Sequence, residues 1–183
     1  MSLFRVLVIV CCLLLDLVRS RGVSGRGEVI TCVTGVGLSH TIKVSLLTTL
    51  ARAVGSSPVY VSMRDGGRAN SQFDFLLFII DCIQDGQLVQ GDVLVLDNAS
   101  IHTAQHIIVP LTTVLRAAGV TMWRLPTYSP ELNPCEFVFA QCKKWLRYHR
   151  RMQNPFWYEI ARGMAETTPQ HMLNCYNKSI WNP

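Results

Sequence analysis

Apolar residues recur along this chain in two rhythms, and each rhythm predicts a different element. Continuous or β-branched runs bounded by turn residues read as strands: residues 6–15 (VLVIVCCLLL), 28–36, 41–47, 59–61, 93–96 and 120–125. The third of these continues into a helix-compatible stretch up to Val54, and residues 55–58 break it. Residues 41–47 are expected to pair back on residues 28–36 across a turn at 37–40. The 3.6-residue rhythm starts after Asn70 or Ser71, either of which can cap a helix. There Phe73, Leu76, Leu77, Ile80 and Ile83 fall on one face. Residues 104–118 predict a second helix, with Pro110 as a kink or early break and Gly119 as its end. Residues 133–151 predict the best helix of the chain, with Val138, Cys142 and Trp145 as its apolar stripe. Residues 155–175 predict one or two short helices more.

The order strand–strand, helix, strand, helix, strand, helix describes an α/β domain with a mixed sheet. In such sheets ligands bind beyond the carboxyl ends of the parallel strands. Asp97 stands at one such end, directly after the fully apolar Val93-Leu-Val-Leu96.

Composition narrows the picture. With 183 residues, 49% apolar and 16% charged, the chain can bury one sizeable core and is not a disordered segment. A net charge of +5 fits an anionic partner such as nucleic acid without requiring one. Seven cysteines, an odd number with no C-x-x-C pair, argue against a zinc site and a disulfide framework, and for reduced, mostly buried thiols.

The first twenty residues admit three readings. The apolar run 6–15 is a buried strand delivering Asp16 at its end, or the core of a secretory signal cleaved after Ser20, or a spurious start of translation. The run is too short for a membrane span, so no stable membrane association is expected. Two N-x-S sequons begin at Asn98 and Asn177. The first lies beside Asp97, where a glycan would obstruct it, which counts against secretion.

Two stretches carry candidate chemistry. One is Val93-Leu-Val-Leu-Asp97-Asn98-Ala-Ser-Ile-His102, and the other is Leu125-Pro-Thr-Tyr-Ser-Pro-Glu-Leu-Asn133-Pro134-Cys-Glu136. Each has an ordinary structural reading. Asp97 can cap the turn after its strand. Asn133, Pro134 and Glu136 have the spacing of a helix N-cap with a capping box.

Together, in this order, a strand ending in D-N-A-x-x-H and a loop L-P-x-Y-S-P-x-L-N-P-x-E heading a helix resemble the Tc1/mariner and IS630-like transposases of the DDE superfamily. Gly67, Asn70, Phe73, Phe75 and Leu76 resemble the family as well, and so, more weakly, does Arg21-Gly-Val-Ser-Gly-Arg-Gly27. The resemblance implies an RNase H-like fold, with a first strand that is missing or altered. It implies hydrolysis and strand transfer of DNA phosphodiesters, hence DNA transposition and integration. Three carboxylates would hold two Mg²⁺ or Mn²⁺ ions, whose preference for oxygen ligands suits them. Asp97 and Glu136 match the second and third metal-binding, catalytic carboxylates. Asn98 and His102 match positions beside the site that orient its ligands. Asp16 is the residue placed for the first carboxylate, although Leu17 follows it where the family pattern has Glu.

The 38 residues between Asp97 and Glu136 exceed the commonest family spacing, and an insertion in the intervening helix or loop would accommodate them. The helix-turn-helix modules that precede the core in full-length relatives are not in this sequence, so sequence-specific recognition is not expected. DNA contact is expected instead from Lys143, Lys144, Arg147, Arg150 and Arg151, crowded on the later turns of the 133–151 helix. Tyr148 and Trp157 can stack on bases, with packing in the core as their ordinary role. The chain therefore divides into an N-terminal apolar segment (1–20), a transposase-like core (21–151) and a helical extension (152–183). DNA is the expected partner, a homodimer is compatible, and the nucleus is the expected location unless Met1–Ser20 is a signal. A DNA-binding relic without catalysis is the competing reading.

Overall fold

The computed structural model describes residues 7–16, 22–23, 29–30, 41–50, 57–65, 71–98, 102, 105–127 and 129–181, with the backbone alone for residues 7–41. The apolar run near the N-terminus forms strand β1 (Leu7–Asp16), and β1 is the middle strand of the main sheet. That sheet has the order β5-β4-β1-β6-β7, with β4 (Thr41–Thr49), β5 (Val59–Asp65), β6 (Val93–Leu96) and β7 (Thr121–Arg124). β4 runs antiparallel to both β1 and β5, whereas β6 and β7 run parallel to β1. A separate antiparallel pair is made by β2 (Gly22–Val23) and β3 (Val29–Ile30).

The expectation that residues 41–47 fold back on residues 28–36 is corrected. Both edges of β4 are taken, by β1 and by β5, and Val29–Ile30 pairs with β2 instead. Residues 31–40 lie outside the described part. β4 runs to Thr49, whose amide donates to the carbonyl of Pro58 just ahead of β5, and the helix-compatible continuation toward Val54 falls on residues 51–56, outside the described part.

Side chains alternate across the sheet with period two and feed two cores. Ile42, Val44 and Leu46 of β4 join Val93 and Val95 of β6 under helices α3 (Pro134–His149), α4 (Phe156–Ala165) and α5 (Pro169–Tyr176). Leu47, Leu94 and Leu96 face the other way, under α1 (Gln72–Gln84) and α2 (Gln105–Ala117). β6 is buried on both faces, as its unbroken apolar sequence predicts. The C-terminal helices share the first core through Ile160, Met164, Met172 and Tyr176, and the Tyr176 hydroxyl donates to the carbonyl of Thr48 at 3.0 Å. No helix among the described residues is long and apolar enough to cross a membrane.

Helix α1 buries a different face from the one its spacing suggests. Phe75, Phe78, Ile79 and Cys82 are inside, while Phe73 and Leu77 are exposed. Apolar residues occupy most positions of this helix, so several faces satisfy the same periodicity. Its first turn decides. Ser71 and Asp74 form a capping box, and Asp74 is held by Arg64 of β5 at 2.8 Å and Lys43 of β4 at 3.7 Å. Phe78 stands one turn beyond Asp74 on the same side and is drawn onto the sheet with it. Helix α2 continues through Pro110 and ends before Gly119, whose φ of 69° is the left-handed geometry of a helix terminus.

The described cysteines are free thiols: Cys82, Cys135 and Cys142 are buried and Cys175 is half-buried. Burial pushes the Cys142 thiol up to about 12, so it behaves as a small apolar side chain at neutral pH.

Gly163 lets α4 approach α3 closely. A Cβ there would sit 3.0 Å from Cys142 Sγ and 3.2 Å from the Trp145 ring. Alanine improves helix propensity by up to about 1 kcal/mol, whereas overpacking costs about 1–3 kcal/mol. Gly163→Ala is expected to destabilise the fold by about 1 kcal/mol in urea unfolding; a stabilised variant would show that the two helices can separate freely.

Candidate functional site

The carboxyl edge of β6 gathers the first motif. Asp97 follows the last strand residue and is half-buried. Its Oδ1 accepts from His102 Nδ1 at 2.7 Å, since an ionised carboxylate can only accept. His102 is 1% exposed and its ring lies 4.2 Å from the Phe75 ring. Histidine thus fixes the rotamer of Asp97, and Phe75 of α1 fixes the histidine. Among the described residues His102 Nε2 has no partner. Asn98 does different work: its Nδ2 donates to the carbonyl of Leu125 at 2.6 Å, while the Leu125 amide donates to the carbonyl of Leu96. These two bonds tie the start of the second motif to the end of the first.

Glu136 is brought up by the start of α3. Asn133 caps that helix, its side chain accepting from the Cys135 amide at 3.0 Å. The Asn133 amide donates to the carbonyl of Pro130 at 3.0 Å. Cys135, next to Glu136, rests on β4, with Sγ 3.5 Å from Thr48 Oγ1 and 4.0 Å from the carbonyl of Leu46.

Strand register converts these contacts into a common level. Thr48 is level with Ile9 and Leu46 with Cys11, while Ile9 is level with Val95 and Val10 with Leu96. Cys135 therefore docks at the height of Val95 to Asp97, and Glu136 starts its helix there. Asp16 does not share that height. It pairs with Thr41, six positions beyond Val10, whereas Asp97 is one position beyond Leu96. Five strand residues place the Asp16 backbone about 16 Å further along the sheet. Cys11 is the β1 residue level with Asp97.

The donor chemistry of Asp97 and Glu136 suits a hard divalent cation. Among the described residues no three His, Cys, Asp or Glu side chains converge as a metal-binding group, and β1 brings no carboxylate to the level of Asp97.

The basic residues lie toward the far end of α3. Lys143, Lys144 and Arg147 are exposed on the helix, and Arg151 is exposed just past it. Arg150 is half-buried with its guanidinium 4.8 Å over the Phe156 ring, so packing claims part of it. Along the helix axis this group begins about 10 Å beyond Glu136 and ends about 20 Å beyond it. Tyr148 and Trp157, whose ordinary role would be core packing, are on the surface, as is Tyr158.

A hub that the sequence reading missed organises this end. Glu159 is buried in α4 and accepts from Asn154 Nδ2, the Arg151 amide and Arg162 Nη1. The Asn154 bond foremost, helped by Arg151 and Arg162, holds the Glu159 carboxyl below the usual range. The available signal was a lone Glu inside an apolar and aromatic helix with Arg three residues on, a spacing at which opposite charges meet.

Comparison with known proteins places this geometry. The sequence profile of one family, described as DDE superfamily endonuclease, matches residues 19–155. No curated protein matches the chain in sequence. Among solved structures, the pre-cleavage Mos1 transpososome superposes with a TM-score of 0.57 at 14% identity, over 94% of this chain and 55% of the Mos1 chain. The Mos1 mariner paired-end complex with Mn gives 0.56 at 14%, with the same coverage of both chains. The Mos1 paired-end complex with Mg gives 0.51 at 16%, over 95% of this chain and 55% of that one. The chain thus spans about half the length of these transposases, and the shared architecture is the RNase H-like fold.

A carboxylate with a lowered pKa stabilises the fold above its ordinary value, and that contribution is lost as pH falls from there through the lowered folded-state value. Glu159→Gln is expected to lower the urea midpoint at pH 7. The gap from the unmodified protein should narrow over the acid interval below the usual glutamate value as Glu159 itself becomes protonated. A gap that stays constant over that interval would contradict the hub.

Proposed function

Because the chain belongs to the DDE superfamily endonucleases, we propose that it is of their Tc1/mariner-like branch and engages DNA phosphodiesters at the carboxyl edge of β6, with Asp97 and Glu136 as the oxygen ligands of a divalent cation. The observation that carries this is the common level of Asp97 and the start of α3, set by the contacts of Cys135 on β4. A cation held there supplies positive charge to a phosphodiester oxygen. The chain's own residues do the rest. His102 holds Asp97 in one rotamer, Asn98 anchors the loop that leads to Glu136, and the basic side of α3 attracts the phosphate backbone. Mg²⁺ or Mn²⁺ as the cation and a nuclear location belong to the same reading.

The register of β1 favours a second reading, in which the domain binds DNA and does not cut it. Two-ion chemistry needs carboxylates around ions about 4 Å apart, and Asp16 stands about 16 Å from the level of Asp97.

Nicking of supercoiled plasmid and DNA binding, measured on the same preparations with Mn²⁺ and Mg²⁺, test both. Asp97→Ala and Glu136→Ala are expected to lower metal-dependent nicking by at least about a hundredfold, the scale of removing one charge-stabilising group. Asp16→Ala is expected to leave it unchanged. Loss of nicking in Asp16→Ala with the fold intact would contradict the placement of β1. Folded protein that binds DNA and never nicks it establishes the second reading.

A further inference from the structure

The helix α3 carries one continuous ridge. Glu136, Ala140, Lys143 and Arg147 follow one another at spacings of four, three and four, so they lie on one side of the helix. Ala140, Lys143 and Arg147 are exposed. From Glu136 the ridge passes over a small side chain, then two cations, and reaches Arg151 where the chain bends into α4.

At that bend lies an open cleft of about 500 Å³ lined by Arg151, Asn154, Pro155, Trp157, Tyr158 and Arg162. Its two arginines suit a phosphate. Its two aromatic side chains are 50% and 44% exposed, with ring centroids 5.9 Å apart and the rings edge to face. Indole and phenol surface left open to solvent beside guanidinium groups matches the two parts of a nucleotide: an anionic phosphate and a flat, apolar base. The cleft is preformed. Glu159 beneath it binds Asn154, the Arg151 amide and Arg162, and the Arg162 guanidinium also lies 5.0 Å over the Trp145 ring. A ligand therefore meets walls that are already fixed, which lowers the cost of ordering them.

We propose that this cleft is a subsite for an unpaired nucleotide of a single DNA strand, its base against Trp157 and its phosphate on Arg151. The α3 ridge carries the strand between the cleft and Glu136. The occupant is single-stranded because a duplex hides its base faces in the stack, whereas an unpaired base offers them to an aromatic side chain. Arg151 stands about 20 Å of helix axis beyond Glu136, a distance one continuous strand can span. This inference rests on the DNA-engaging reading above and adds to it a place and a state of the strand.

Fluorescence anisotropy with the full chain, using a 12-nucleotide single strand and the duplex of the same sequence across a salt series, separates the two. Trp157→Ala is expected to weaken single-strand binding by about tenfold and to leave the salt slope unchanged, since stacking releases no counterions. Duplex binding should stay within about twofold, and Trp157→Phe should restore most of the single-strand affinity. Arg151→Ala should reduce the magnitude of the single-strand salt slope by about 0.7, the loss of one phosphate contact. If Trp157→Ala changes neither affinity, or weakens both equally, while Lys143→Ala and Lys144→Ala weaken both, the cleft proposal is overturned and DNA engagement stands. If the unmodified protein binds neither DNA, both fall.

Discussion

Four residue pairs, from Leu7–Val93 to Val10–Leu96, join the two central parallel strands, and the carboxyl edge of the sheet takes its levels from that ladder. β1 carries β4 on its other side, β4 carries the start of α3 through Thr48 and Leu46, and β6 ends in Asp97. The levels of Asp97 and of the start of α3 along the strand direction are thus set by the backbone ladders that β1 makes with β6 and with β4. A slip of one residue would exchange the faces of β1 and move Cys11 off the level of Asp97. The same ladder sends Asp16 beyond the site, because β1 continues for six residues past its last pair with β6.

Around this edge the chain distributes its polar contacts unequally. Asp97 is held by a buried histidine wedged against Phe75, and Asn98 serves the loop, so neighbouring residues of one motif have separate duties. At the other end of α3 a buried glutamate fixes the bend into α4 and leaves aromatic and basic side chains facing solvent above it. One rigid helix connects the two regions, with Glu136 in its first turn and Arg147 in its last. Its buried stripe of Cys135, Val138, Phe139 and Cys142 fixes its rotation, and that rotation turns the basic ridge outward.

Much of this was legible in the sequence where local chemistry and tertiary packing agree. The strand at 93–96 is apolar at every position and buried on both faces, and the helix after Asn133 announces itself by its cap and its Pro134. The motifs at Asp97 and Glu136, taken together, resemble the family whose model matches residues 19–155. Legibility failed where one pattern satisfied two arrangements. Helix α1 is apolar at most positions, so several faces satisfy its periodicity, and the face that is buried is the one that also brings Asp74 to Arg64 and Lys43. The strand at Thr41–Thr49 has two competent edges, and local sequence does not say that β1 and β5 claim them. Asp16 illustrates the same limit: an apolar run ending in Asp predicts a strand end, but register with a distant strand decides where that end falls. Trp157 and Tyr148 look like core residues from composition, and their exposure depends on how α3 and α4 rotate against the sheet.

The proposed cation site takes Asp97 and Glu136 as its ligands and leaves Asp16 out. Titration with Mn²⁺ followed by electron paramagnetic resonance counts the bound ions and tests this without relying on DNA cleavage. One ion per chain is expected, lost in Asp97→Ala and in Glu136→Ala and retained in Asp16→Ala. Two ions per chain, with one of them lost in Asp16→Ala, would contradict the register of β1 and the account built on it.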